Sequence, residues 1–289
     1  MSKIAFLFLT LDNLKHPKIW DMFFDGIDKK KYNIYVHPKN VKKVTDKLLT
    51  SAHIIKKPAE TKHGYLVKGM KLLMDTAFKN KDNQYFIFVS DSCIPIKKFD
   101  RVYEDITKKF KTNLVMEMHL KSFNRKVRYD NKLPEKCFKK FSQWSILMRE
   151  SVKTIVSSEY LPLFYKMNAG DEFILSILEC TDGGFNYKSL PATYVDWSIS
   201  DNVPGLLKKI NAKIYDILEH YDGLKEADKK ELTKIIAQIK AEHMEIEKHP
   251  RTFEKMKKKD IKTLKETPAL FARKFSDDSD ILKHIDSIW

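Results

Sequence analysis

The run Ile4-Ala-Phe-Leu-Phe-Leu9 constrains the fold more than any other stretch. Six apolar residues without alternation describe a strand buried on both faces, as at the centre of a parallel sheet. A parallel neighbour needs a crossover, and the next residues supply one. Pro17 suits the first turn of a helix whose Trp20, Phe23, Phe24 and Ile27 share a face. Tyr32-Asn-Ile-Tyr-Val-His37 is a second strand, stopped by Pro38. Residues 41–49 read as a short helix, 53–57 as a third strand, 66–78 as a helix, and Tyr85-Phe-Ile-Phe-Val89 as the next strand. This alternation implies right-handed crossovers and an open, mostly parallel α/β sheet flanked by helices. Ser90-Asp-Ser-Cys-Ile-Pro95 then forms a polar tip at a strand C-terminus, the edge where open α/β sheets bind ligands.

The second half is less regular. Residues 101–110 read as helix, 113–118 as strand, 119–140 as a polar, basic, irregular stretch, and 141–147 as strand. Arg149 begins a helix to about residue 156. Tyr194-Val-Asp-Trp197 is a late strand. Val203, Leu207, Ile210, Ile214 and Leu218, then Leu232, Ile235, Ile236 and Ile239, keep helical spacing around Gly223. Residues 201–248 are therefore expected to be a helical hairpin inserted into one domain spanning 1–289. Lys255 to Lys259 is a charge run, most simply solvated. Asp277, Asp278 and Asp280 are expected to cap a last helix from Ile281 to Ile285.

Composition narrows the partners. Of 289 residues, 54 are Lys or Arg and 39 Asp or Glu, so the formal charge is +15. That balance favours an anionic ligand. The lysines are spread along the chain, with no finger spacing and no arginine stripe, which argues against nucleic acid. No run of eighteen apolar residues spans a membrane, and no long basic amphipathic helix lies on one, so only peripheral membrane contact stays open. Cys93, Cys137 and Cys180 are an odd, scattered trio. They do not make a disulfide framework, and a reducing, cytoplasmic location is expected. There is no GxGxxG, phosphate-binding loop, GxSxG elbow or zinc spacing.

Chemistry concentrates in Asn168-Ala-Gly-Asp-Glu172 before an apolar run. Asp171 suits an N-cap and Glu172 a first helical turn, with Phe173, Ile174, Ile177 and Leu178 as the buried face. A carboxylate held there can act as a general base, although two capping acids would look the same. Arg251 and Lys274, each beside apolar anchors, are candidate cations for a diphosphate leaving group. Ser90-Asp91-Ser92 stands where a metal-dependent sugar-nucleotide enzyme carries Asp-x-Asp, and has one acid, so cations are favoured over a metal.

Taken together, these motifs resemble the core-2/I-branching β-1,6-N-acetylglucosaminyltransferase family, in its short plant-like, microbial or large-DNA-virus branch. The matching stretches are residues 4–10, 32–37 and 63–67, Phe88-Val-Ser-Asp-Ser-Cys-Ile-Pro95, Phe141-Ser-Gln-Trp144 with Arg149, and Gly170-Asp-Glu172. Tyr194-Val-Asp-Trp-Ser198, His249-Pro-Arg-Thr-Phe253 and Leu270-Phe-Ala-Arg-Lys-Phe275 complete the order. The resemblance implies a GT-A-like, nucleotide-sugar-binding fold and inverting transfer from a UDP-sugar, GlcNAc first, to a glycan or glycoconjugate hydroxyl, with no cofactor required. By resemblance Glu172 is the base, and Arg251 and Lys274 hold the diphosphate in place of a metal. His37 and Asp91 lie around the nucleotide, and Glu117, Arg125, Arg128 and Trp197 line the acceptor side. Two alternatives stay open: a xylosyl- or other hexosyltransferase of the same fold, and a non-catalytic glycan-binding or scaffold homologue. The chain departs from the pattern at His63-Gly64, where Trp-Gly is usual, and is expected to carry neither the membrane anchor nor the disulfide pattern of the animal enzymes.

Overall fold

The computed structural model describes residues 2–118, 134, 137, 139–181, 184–198, 230, 234 and 250–289. The chain divides into two compact units, Met1–Tyr194 with Glu254–Trp289, and Val195–Phe253. The hairpin expected at 201–248 lies, apart from residues 230 and 234, outside the described residues, as do Arg125 and Arg128.

The described strands are β1 (Lys3–Thr10), β2 (Tyr32–Pro38), β3 (His53–Ile54), β4 (Asn83–Ser90), β5 (Ile94–Pro95), β6 (Asn113–Leu114), β7 (Glu117–Met118), β8 (Lys140–Phe141), β9 (Ile146–Met148), β10 (Tyr187–Lys188), β11 (Thr193–Val195) and β12 (Phe271–Arg273). Seven form a mixed sheet in the order β10-β6-β9-β4-β1-β2-β3. β1 pairs in parallel with β2 and β4, and β2 with β3. β9 runs antiparallel to β4 and β6. The parallel block is the one the apolar runs predict. Ile4, Ala5, Phe6, Leu7 and Phe8 are fully buried, as a central strand covered on both faces requires.

Helices cover the sheet by apolar faces. Helix Pro17–Phe24 begins on its proline and buries Ile19, Trp20, Phe23 and Phe24. The rings of Trp20, Phe23, Phe24, Phe99 and Phe271 all lie within 6.4 Å of Phe6, mostly edge-on, the arrangement ring quadrupoles favour. Helix Val67–Phe78 buries Val67, Met70, Leu73, Met74 and Ala77 at helical spacing. Its C-terminal end is closed by Arg149, whose Nη2 donates to Phe78 O at 2.8 Å and Nη1 to Asn80 O and Asn83 O at 2.9 and 3.0 Å. Its guanidinium stacks 4.0 Å from the Phe78 ring. Arg149 satisfies carbonyls that a helix end leaves open, and its role is structural.

Several expectations are corrected. Residues 41–49 form a 3-10 turn, Val41–Lys43, and a separate short helix, Lys47–Thr50. The strand expected at 141–147 is two strands in different sheets, because Ser142 and Ser145 turn the chain between β8 and β9. The charge run 255–259 is solvated as expected, with Lys255, Lys257, Lys258 and Lys259 exposed, and it leads into a helix, Lys258–Glu266, where Lys257 N donates to Asp260 Oδ2 at 3.0 Å and Leu264 is buried. The chain closes on a 3-10 turn, Asp280–Lys283, and a helix, Ile285–Ile288. The cysteines are not all unpaired either. Cys137 and Cys180 form a disulfide across 43 residues, and Cys93 is buried and free. No local spacing announces that bridge; only the folded chain brings the two Cα atoms to 5.1 Å.

Candidate active site

β1, β2 and β4 are parallel, so they end on one edge, at Thr10, Pro38 and Ser90. The Ser90–Cys93 turn closes that edge. Ser90 N donates to Cys93 Sγ at 3.3 Å, and Ser90 Oγ lies 3.1 Å from Ser92 Oγ. Asp91 is held on the turn: its Oδ2 accepts Leu11 N at 3.2 Å, and its carbonyl accepts Lys15 N at 3.0 Å. β12 pairs antiparallel with β5, Ala272 opposite Ile94, which carries Lys274 to the same turn, where Phe275 N donates to Ser92 O at 3.2 Å. Burial lowers the pKa of the Lys274 ammonium, the cations Arg273 and Lys15 lower it further, and Asp91 opposes them. Lys15 also pairs with Asp277 at 3.1 Å. This cluster has more cations than it balances, which is what an anionic group needs. Arg273 stacks 4.3 Å from the Trp144 ring. His37 sits opposite Leu9 near the same edge, fully buried, and its Nε2 accepts Ala59 N at 2.9 Å. Burial lowers its pKa. An unprotonated Nε2 in such a place makes His37 a neutral, inward-packed ring.

Glu172 lies on a different kind of scaffold. Gly170–Glu172 is a single 3-10 turn, and Asp171 makes no capping bond; the following α-helix is only Ser176–Glu179. The N-cap role expected of Asp171 is therefore corrected. The turn is fixed by close packing. Ala169 has φ 56, left-handed for a residue with a Cβ, and its N–H donates to Gly64 O at 2.7 Å. Gly64 has φ +76, and a Cβ there would collide with Asn168 Oδ1. A Cβ on Gly170 would collide with Phe164 O. Gly170 is thus dictated by backbone approach, and Gly64 by its left-handed φ. On this turn the Glu172 carboxylate is half-buried and its Oε2 is 2.8 Å from Lys140 Nζ. Asp171, 7% exposed, points inward with Oδ1 unpartnered. Its pKa is raised to about 6, chiefly by burial and then by the Glu172 charge, against His63 and Lys140.

The remaining candidates are placed as follows. Glu117, on β7, is exposed and accepts the Tyr187 hydroxyl at 2.7 Å. Burial first, then that bond and the Glu117 charge, raises the Tyr187 phenol pKa. In the second unit, Arg251 pairs with Asp196, Nη1 to Oδ2 at 3.3 Å, and its N–H donates to Asp196 O at 2.8 Å. Its guanidinium lies 4.7 Å from the Phe253 ring. Trp197 is 52% exposed, an aromatic face left open to solvent.

The structure therefore gathers Asp91 and Lys274 at one edge and sets Glu172 on a packed turn. Lys140, Lys15 and Tyr187 were not singled out by the sequence. Lys140 is one lysine in a lysine-rich stretch, and nothing in its spacing points to Glu172. Among the described residues no three His, Cys, Asp or Glu side chains converge to hold a metal, and no helix is long and apolar enough to cross a membrane.

A model of the Core-2/I-Branching enzyme family matches residues 4–265. The chain belongs to that family. It is also similar to Glycosyltransferase BC10 of Oryza sativa subsp. japonica, 27% identical over 172 residues, covering 57% of this chain and 43% of the rice protein. The chain thus spans less than half the length of that relative. Among solved structures, S. aureus TarS 1-349 in complex with UDP aligns at 12% identity and TM-score 0.38, over 64% of this chain and 60% of that one. TarS 1-349 in complex with UDP-GlcNAc aligns at 12% identity and TM-score 0.30, over 52% and 46%. Likenesses that distant carry no assignment of fold or ligand.

Proposed function

We propose that this protein is an inverting glycosyltransferase of GT-A-like fold, one catalytic domain over its length. It moves a sugar, GlcNAc in the first instance, from a UDP-sugar to a hydroxyl of a glycan or glycoconjugate. The observation that carries the reading is Glu172: the residue matching the family's base is a half-buried carboxylate on a rigid, glycine-packed turn. In the reaction Glu172 takes the acceptor hydroxyl proton as that oxygen attacks the anomeric carbon. The carbon–oxygen bond to the diphosphate breaks, and UDP leaves with the electron pair. The leaving charge needs cations or a metal. Lys274, with Lys15 and Arg273 near it, supplies positive charge at the sheet edge, and Arg251 is assigned to the same diphosphate on its sequence motif.

His37 and Asp91 then support the nucleotide side. His37 does so by packing, since its ring is buried, and Asp91 by fixing the loop from β1 through Leu11. Glu117, Arg125, Arg128 and Trp197 are assigned to the acceptor; the open Trp197 ring suits stacking on a pyranose face. No metal is required in this scheme.

The test is UDP release from a panel of UDP-sugars, with and without a chelator, for wild type and Glu172→Gln. Turnover of one donor that survives chelation and falls by about 100-fold or more in the variant supports the base and the metal-free clamp. Turnover only with added metal overturns the cation clamp. Retained turnover in Glu172→Gln overturns the base.

A further inference from the structure

We infer that Lys140 is a positioning residue for Glu172, held over it by a strap that the Cys137–Cys180 disulfide fastens; this rests on the reading of Glu172 as the base. Lys140 Nζ reaches Glu172 Oε2 at 2.8 Å, with the side chains 26% and 23% exposed. The contact is therefore neither fully solvated nor sealed from a substrate. Lys140 engages one carboxylate oxygen of Glu172, and among the described residues Oε1 carries no ion pair or hydrogen bond, which leaves it available to a proton donor.

Lys140 does not reach Glu172 on a long strand. β8 has two residues, Lys140 opposite Met118 and Phe141 opposite Glu117. What fixes it is a series of ties to the segment just after Glu172. Lys139 N donates to Ser176 Oγ at 3.2 Å, and Ser176 Oγ donates to Lys139 O at 2.6 Å. Lys139 Nζ pairs with Glu179 Oε1 at 3.1 Å. Cys137 is bonded to Cys180. Residues 137, 139 and 140 are thus tied to residues 180, 176 and 172, at each end and in the middle. Ser176 is fully buried, so its exchange with Lys139 is a packed, two-way hydrogen bond.

The consequence is geometric. A carboxylate on a lone 3-10 turn has freedom about its side-chain torsions, and an ion pair to one oxygen removes most of it. General-base catalysis loses about 10- to 100-fold when the base is misplaced by an ångström. Lys140 acts on kcat through Glu172 and has no role in holding the donor.

The experiment measures kcat and donor KM for wild type, Lys140→Met, Lys140→Arg and Glu172→Gln, with thermal unfolding of each. The expected result is a kcat lower by about 10- to 100-fold in Lys140→Met, a donor KM within about twofold of wild type, and recovery of most of the loss in Lys140→Arg. Wild-type kcat in Lys140→Met beside an inactive Glu172→Gln overturns the positioning role and leaves the base intact. A loss in Lys140→Met that tracks lowered unfolding temperature and that Lys140→Arg does not recover also overturns it. An active Glu172→Gln, or no transfer by wild type from any donor, removes the base itself.

Discussion

At the sheet edge, Asp91 follows an eight-residue strand paired in parallel with β1, and Lys274 follows a strand seated on β5. At the Glu172 turn the elements are two to four residues long, and side-chain ties and a disulfide hold what backbone pairing does not. The edge is rigid because the sheet is rigid, and the same strands that make the core present the loop. The turn is held because Gly170 lets backbones touch and because two distant segments are stapled together. An ammonium cluster that receives a diphosphate tolerates small displacements, since Coulomb attraction falls slowly with distance. A base must meet one proton at hydrogen-bond distance. On the proposed roles, the cross-links lie where the geometric demand is higher.

The comparison breaks first at the disulfide. Closing a loop of 43 residues stabilises by about 4 kcal/mol in the chain-entropy model. Cys180→Ser is expected to lower unfolding free energy by roughly 2–4 kcal/mol in denaturant titration and to lower kcat, while UDP affinity stays unchanged. Dithiothreitol should do the same to wild type and nothing further to the variant. Equal losses of kcat and UDP affinity would mean that turn and edge are one mechanical unit.

Asp171 gives the next largest effect, and its sign is fixed by linkage. Its pKa in the folded chain is about 6, against 3.8 without burial. Between those values the native state holds a proton that the unfolded chain releases, so stability falls as pH rises through this window. A gap of about 2 in pKa corresponds to about 3 kcal/mol. Asp171→Asn, which cannot ionise, should therefore be more stable than wild type above pH 6 by up to about 3 kcal/mol, with the advantage vanishing towards pH 4. Parallel stability curves across that range would contradict the burial of this carboxyl beside Glu172.

The smallest effect belongs to the edge. Lys274→Ala should weaken UDP binding by about tenfold, roughly one charge-assisted hydrogen bond, and steepen no unfolding transition. Unchanged UDP affinity by calorimetry would place the diphosphate elsewhere.

How much of this was legible follows from the same contrast. β1, β2 and β4 and the helices at Pro17 and Val67 were readable because uninterrupted apolar runs and helical spacing encode burial directly. Asp91 was readable as a strand-end residue, and Glu172 as an acid before an apolar run. The strap was not. A two-residue strand has no periodicity, Lys140 lies among many lysines, and the Cys137–Cys180 and Lys139–Ser176 contacts join segments that only tertiary packing makes neighbours. The split of 141–147 was hidden for a related reason: its apolar residues serve two sheets, and composition does not record which. His37 was expected at the nucleotide, and burial makes its ring part of the packing beneath the edge.

The most direct test of the whole account is made on one variant, Glu172→Gln, by measuring UDP affinity and sugar transfer on the same preparation. The account predicts wild-type UDP affinity with transfer lower by about 100-fold or more, because the edge is untouched and only the proton acceptor is gone. Transfer at the wild-type rate would contradict it outright, and loss of UDP binding together with transfer would show that the turn and the sheet edge are not separate parts.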